Sequence, residues 1–225
     1  MVAEIEKVVK WYANPERKLE PKWKDEVTVI LDKYLGADVT EFTYETKKYT
    51  PKSFLEMTKL NLEDYVTITS FTNEPYYSKF ILDVPDNFSN GSFYNMPLDE
   101  FISNIDNALA TGYTVELDCD VSEPTFSGKY GVAVIPENSE DNKTILTEIK
   151  PEKTITPEFR QAEFENLSTQ DDHLMHIVGK VKDQNGTIYY KVKNSWGTNN
   201  GNEGFIYMSV PYLRLKDLPF TGFMM

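Results

Sequence analysis

Apolar residues at Leu98, Phe101, Ile102, Ile105 and Leu109 form one stripe at helical period, which predicts a helix over Pro97–Thr111 ended by Gly112. Val2, Ile5, Val8, Val9 and Tyr12 repeat the pattern before Asn14-Pro15, and Trp23, Val27, Ile30, Leu31 and Tyr34 repeat it between Pro21 and Gly36. Two Thr-Pro pairs, Thr50-Pro51 and Thr156-Pro157, place a capping hydroxyl before a proline at the first helical position and open two further helices. Between these lie β-rich runs at Thr40–Glu45, Tyr65–Phe71, Lys79–Val84, Tyr113–Cys119, Tyr130–Ile135 and Gly204–Ser209. Asn87–Asn95, with its Asn90-Gly91 pair, reads as a loop, and Pro136–Lys150 reads as a polar, aperiodic surface excursion.

The sharpest local signal is in residues 171–207. Leu174–Lys182 and Thr187–Val192 are joined by Asp183-Gln184-Asn185-Gly186, a hairpin signature because glycine accepts the positive φ of a tight turn. Strands outnumber helices after residue 60 and are separated by hairpin-scale turns. The expected class is therefore α+β, a mainly antiparallel sheet with flanking helices, with a helical segment at 1–60 and the mainly β domain at 61–225.

Composition narrows the partners. A formal charge of 23 − 36 = −13 opposes binding to nucleic acid or an anionic membrane, both of which need a basic footprint. The charge itself reads as solubility. No apolar run approaches a membrane span, and the Glu- and Lys-bearing opening lacks the apolar core of a signal peptide. The expected location is cytoplasmic. One cysteine, Cys119, excludes an intrachain disulfide among these 225 residues.

The hairpin also gathers chemistry. It brings His173, at the head of one strand, toward Asn194, at the foot of the other, although 21 residues separate them. His titrates near neutrality and can move a proton at one nitrogen while the other is held; an Asn carboxamide oxygen can do the holding. Trp196 offers an apolar plate to shield that bond, and Asp171 and Asp172 would favour the charged imidazole. His176, three residues along the strand, points to the other face and reads as structural. The same geometry splits a metal set of Asp171, Asp172, His173 and His176, so no metal or organic cofactor is expected. Cys119 lies at a strand end between Asp118 and Asp120, whose charges oppose a thiolate; it reads as a small buried residue rather than a nucleophile.

His173-Leu-Met-His-Ile-Val-Gly179 followed by YYKVKNSWGTNNGNEGFIYMS resembles the His and Asn-Ser-Trp-Gly segments of papain-like cysteine peptidases. PLDEFISNIDNALATGYTVELDCDVS and TPKSFLEM resemble the aminopeptidase C and bleomycin hydrolase branch. The likeness covers roughly residues 20–215. It implies a papain-like fold with residues 1–60 as part of the family's helical insertion and the left-hand helical domain missing. It also implies cysteine aminopeptidase chemistry on peptide substrates, His173 and Asn194 being catalytic and Trp196 supporting. The family's Cys-Trp nucleophile and oxyanion Gln have no counterpart here, so the nucleophile-bearing half is an implied partner, as is the family's ring-shaped hexamer. The alternative is a catalytically inactive remnant that binds peptides or a partner. The terminal LPFTGFMM departs from the family's longer tail.

Overall fold

The computed structural model describes residues 1–18 and 20–223. The chain divides into two compact units, Met1–Asn61 and Leu62–Met225.

The first unit opens with two helices, α1 (Val2–Tyr12) and α2 (Trp23–Leu35). They meet through the buried Tyr12, whose hydroxyl donates to Glu26 at 2.8 Å, and through Lys33 and Tyr34, which both reach Glu4. Trp23, Val27, Ile30 and Leu31 form the half-buried face of α2 that their spacing predicts. The strand expected at 40–45 is a short hairpin, β1 (Phe42–Tyr44) with β2 (Lys47–Tyr49), turned at positive φ by Glu45 and Thr46. Helix α3 (Pro51–Thr58) begins with a reciprocal cap: Ser53 N–H donates to Thr50 Oγ1 at 3.1 Å, and Thr50 N–H to Ser53 Oγ at 2.9 Å. Phe54 then presents its edge to Phe42, Tyr44 and Tyr49.

The second unit holds a ten-stranded sheet. Its strands are β3 (Tyr65–Thr69), β4 (Lys79–Ile81), β5 (Ser92–Asn95), β6 (Val115–Cys119), β7 (Phe126–Ser127), β8 (Val132–Ala133), β9 (His173–Lys182), β10 (Ile188–Lys193), β11 (Phe205–Ser209) and β12 (Asp217–Phe223). Their order is β4-β5-β3-β12-β6-β9-β10-β11-β8-β7, antiparallel except for β3–β5 and β11–β8. Three helices accompany it: α4 (Leu98–Ala110), α5 (Pro157–Glu165) and α6 (Val210–Lys216). The class is α+β.

The main core is built by strict alternation. Val115, Leu117 and Cys119 on β6 stand opposite Ile177, Met175 and His173 on β9, all on the face that α4 covers with Leu98, Phe101, Ile102 and Ile105. Leu174 and His176 alternate to the other face and are exposed.

Three readings of the sequence need correcting. Residues 87–95 contain a strand, β5, whose Asn95 side chain accepts from Phe71 N–H and donates back to Phe71 C=O, both at 2.9 Å. The 136–150 segment is polar but not detached: Ile145 is buried, and the segment is closed by a bridge between Pro136 and Glu152. The stretch after Ser209, for which no element is expected, forms α6 and then β12 near the middle of the sheet. Ser209 Oγ caps α6 by accepting from Tyr212 N–H. Pro219, which has no ladder N–H, lies in the register break between Asp217 and Phe220 on the β6 side, so β12 tolerates it.

Arg160 fixes this arrangement. It is 1% exposed and donates to the carbonyls of Ser70 and Arg214 at 2.8 Å and of Leu218 at 3.1 Å. Lys216 is equally buried, donating to Ser168 C=O at 2.6 Å and pairing with Asp120 at 3.2 Å and with Glu123.

Two outcomes follow for urea denaturation. Leu117→Ala should lower the unfolding free energy by about 2–5 kcal/mol, while Leu174→Ala, one register position away opposite Asp118 but 52% exposed, should change it by less than about 0.5 kcal/mol. Arg160→Met should cost about 3 kcal/mol, because the carbonyls of Ser70 and Arg214 lose this donor and Leu218 C=O is left with the Thr69 hydroxyl alone.

Candidate active site

The hairpin that carries the site is made by its turn and corrected by a bulge. Asp183 Oδ1 accepts from the N–H groups of Asn185 and Thr187, both at 2.8 Å, and Gly186 takes φ +86°. From Ile188↔Lys182 to Lys191↔Gly179 the pairing is regular; then Val192 pairs with Ile177, which leaves Val178 without an opposite residue. One extra residue inverts the parity of everything beyond it. Lys180 shares its face with Tyr190, over which its ammonium sits. After the bulge it is Ile177, Met175 and His173 that face the same way. Without the bulge His173 would point to the face that now holds His176.

On the other side, Asn194 leaves β10 with its N–H bonded to Gly204 C=O at 2.9 Å. The loop between them packs so closely that a Cβ on Gly201, at φ +62°, would lie 2.3 Å from the Phe205 carbonyl oxygen. Gly201 N–H also donates to Gly128 C=O at 2.6 Å, which ties this loop to the one after β7.

The two side chains meet. His173 Nε2 lies 2.8 Å from Asn194 Oδ1. The same oxygen accepts from Ser195 N–H at 2.7 Å. That second bond fixes which end of the amide is oxygen, so the imidazole must be the donor, with its hydrogen on Nε2. In the neutral ring Nδ1 is then the atom with the lone pair, free to take and return a proton. Asn194 is 9% exposed, and its Nδ2 has no hydrogen-bond partner among the described residues.

Trp196 stacks on the His173 ring, with centroids 5.0 Å apart and planes 29° from parallel. It covers a face of the imidazole and is itself 44% exposed. Phe126, which the sequence alone does not single out, presents its edge to Trp196 at 5.8 Å and packs on Tyr212 at 6.0 Å. Its position two residues after Pro124 carries no sequence signal; only the sheet order brings β7 to this end of the hairpin.

The remaining candidates fall elsewhere. His176 is on the far face, its Nε2 2.7 Å from Thr114 Oγ1. Asp172 accepts from Val121 N–H at 3.3 Å, and Asp171 is half-buried beside it in the chain. Cys119 is the cross-strand neighbour of His173, yet it is wholly buried and its Sγ donates to Asp120 C=O at 3.4 Å. Burial pushes its thiol well above the ordinary value, and Asp217, Asp120 and Asp118 push the same way. Asp120 itself is raised by burial but lowered more by Ser122 N–H, Lys216 and the Ser122 hydroxyl, so it stays charged. Among the described residues no group of His, Cys, Asp and Glu is placed to hold a metal, and no helix is long and apolar enough to cross a membrane.

The chain resembles known proteins in sequence and in fold. A family model described as Peptidase C1-like family matches residues 35–215. Aminopeptidase G of Lactobacillus delbrueckii subsp. lactis is 28% identical over 173 residues, covering 72% of this chain and 36% of that protein. Aminopeptidase C of Lactococcus lactis subsp. cremoris is 28% identical over 174 residues, covering 73% and 38%. Bleomycin hydrolase of Rattus norvegicus is 28% identical over 160 residues, covering 66% and 33%. The chain thus spans about a third of the length of these curated relatives. Among solved structures, PepW from Lactobacillus rhamnosis matches with TM-score 0.66 at 20% identity, covering 97% of this chain and 51% of that one. With its sheet, its hairpin and a family match across most of its length, the chain belongs to the Peptidase C1-like family and has a papain-like fold.

Proposed function

We propose that this chain supplies the His–Asn wall of a cysteine aminopeptidase centre acting on peptides, with a thiol nucleophile contributed by polypeptide other than residues 1–225. The observation that carries the reading is the doubly engaged Asn194 Oδ1, which holds His173 by Nε2 and leaves Nδ1 for chemistry.

In that centre Nδ1 takes the thiol proton, giving a thiolate–imidazolium pair. The thiolate adds to the peptide carbonyl carbon; as the C–N bond breaks, the Nδ1 proton passes to the leaving amine. Neutral His173 then takes a proton from water, the resulting hydroxide attacks the thioester, and the thiolate departs. Asn194 is a positioning residue throughout, and Trp196 keeps water from one face of the ring. The helical unit 1–60 is read as part of the family's helical insertion. A second reading, a peptide-binding chain without turnover, is favoured by the burial of the lone thiol of Cys119.

The purified chain should be inert on fluorogenic aminoacyl amides alone, and should hydrolyse them when combined with a polypeptide bearing the family's Gln and Cys-Trp segment. His173→Ala should then reduce turnover by roughly 10²–10⁴-fold. Activity of the chain alone that survives Cys119→Ala would sink the cysteine mechanism; activity lost on that substitution would make Cys119 the nucleophile and overturn the proposal. Peptide binding without hydrolysis in the combined sample would support the second reading.

Two direct measurements bear on the parts. Nitrogen-15 NMR of His173 should show the neutral ring protonated at Nε2, and Asn194→Ala should convert this to a mixture of tautomers. Iodoacetamide near neutral pH should leave Cys119 unmodified in the folded chain and alkylate it in urea, as read by mass spectrometry.

A further inference from the structure

A cleft of about 470 Å³ opens on the face of the sheet opposite His173, walled on one side by the 136–150 segment. The parity of the hairpin puts it there. Tyr189 pairs with Val181, and Tyr207 with Val132 and Lys191, all on the face that Tyr190, Ile206 and Met208 turn away from. It lies at the closed end of the β9–β10 hairpin, whereas His173 and Asn194 lie at the open end. Nine residues of strand, at about 3.3 Å each, separate the two sites by roughly 30 Å.

The walls are apolar. Val134, Ile145, Ile149, Tyr189 and Tyr207 line the cleft, and the buried Val134 and Ile145 belong to neither hydrophobic core. The polar end is built around Glu152. Its Oε2 accepts from Ile135 N–H at 2.8 Å and from the Ser209 hydroxyl at 2.5 Å, so the carboxylate is fixed in place by two neutral donors. No cation pairs with it among the described residues. Burial raises its pKa, which Ser209 and Ile135 lower in part.

Asp183, also lining the cleft, uses Oδ1 on the hairpin turn and has no partner for Oδ2 among the described residues. Tyr189 stands near both carboxylates: burial raises its phenol first, then Glu152 and Asp183. The cleft's two cations do not cancel these charges. Lys150 is occupied by Glu148 at 3.1 Å and Asp141 at 3.9 Å, which leaves Lys182 against Glu152 and Asp183. An anion would be repelled. A purely apolar ligand would leave a fixed, desolvated carboxylate unpaired.

We infer that this cleft binds a primary ammonium carried on an apolar chain, the ammonium donating to Glu152 and the chain lying between Ile145, Ile149, Tyr189 and Tyr207. The site is distinct from the proposed peptidase centre and does not depend on it. A free amine and the amino terminus of a hydrophobic peptide share this chemistry.

The test is titration of the whole chain by NMR with hexylamine and leucyl-leucinamide, against 1-hexanol and hexanoate. Either amine should shift the ring resonances of Tyr189 and Tyr207, and the tighter of the two identifies the source. Hexanol should bind at least about tenfold more weakly and hexanoate not at all. Glu152→Gln, which retains an acceptor for Ile135 and Ser209, should weaken amine binding by about tenfold or more. Ile149→Trp, made at a residue 55% exposed, should fill the cleft and abolish binding without unfolding the chain. His173→Ala should leave binding unchanged, so failure here and failure of the peptidase reading are separable. Equal binding of hexanol and hexylamine, undiminished binding to Glu152→Gln, or no response to either amine at about 20 mM would overturn the proposal.

Discussion

Arg160 keeps its charge inside the protein because three main-chain carbonyls and two aromatic faces surround it. Burial lowers its pKa to about 10, so it stays protonated at neutral pH, and the nearby Asp217 opposes that fall. The carbonyls come from the end of β3, from α6 and from β12, and the rings are Phe71 and Phe101. One side chain from α5 therefore closes the sheet at its middle. Burial drives the Asp217 carboxyl well above its usual range while Arg160 draws it back, and both carboxylate oxygens lack hydrogen-bond partners among the described residues. Such a group destabilises when charged. With β12 held, β6 has an antiparallel neighbour on each side, and β6 sets the register of β9 and hence the position of His173.

The same core face supports the site. His173 continues the row Ile177, Met175 by alternation, so its backbone is as fixed as the core beneath it, while its ring emerges at the row's end against Trp196. Phe126 and Tyr212 extend that aromatic contact down to Asp120 C=O, which accepts from the Tyr212 hydroxyl at 2.8 Å. The imidazole is thus oriented by a hydrogen bond at one edge and by packing across one face.

What could be read from the residues divides along physical lines. Helix α4 and the β9–β10 hairpin are legible because their signals are local: a 3.6-residue stripe, and Asn-Gly between β-rich runs. His173 and Asn194 could be joined for the same reason. β12 could not, since Pro219 and Gly222 argue against a strand and Asp217 puts an ionisable group where a core residue belongs, near the charge of Arg160, 57 residues away in sequence. β5 was hidden by its Asn-rich flanks, whose carboxamides turn out to bond the main chain. For α6 a signal exists, Ser209 with Pro211, displaced by one position from the Thr-Pro pairs that open α3 and α5. The bulge at Val178, which decides the face that His173 takes, has one local hint, Gly179 inside the strand, which does not by itself place the extra residue.

The late position of β12 bears on how the chain is made. β3 and β6 flank it in the sheet, yet both are translated long before it: 217 − 119 = 98 residues separate the end of β6 from the start of β12. At ribosomal speeds of about 5–20 residues per second that interval lasts roughly 5–20 s. Throughout it, one side of β3 and one side of β6 present unpaired N–H and C=O groups, each able to recruit a strand from another nascent copy. The strand that completes the sheet is also the one that seals it against its neighbours on the polysome, so a stop between residues 209 and 217 would release a chain in which β3 and β6 each keep one unpaired side.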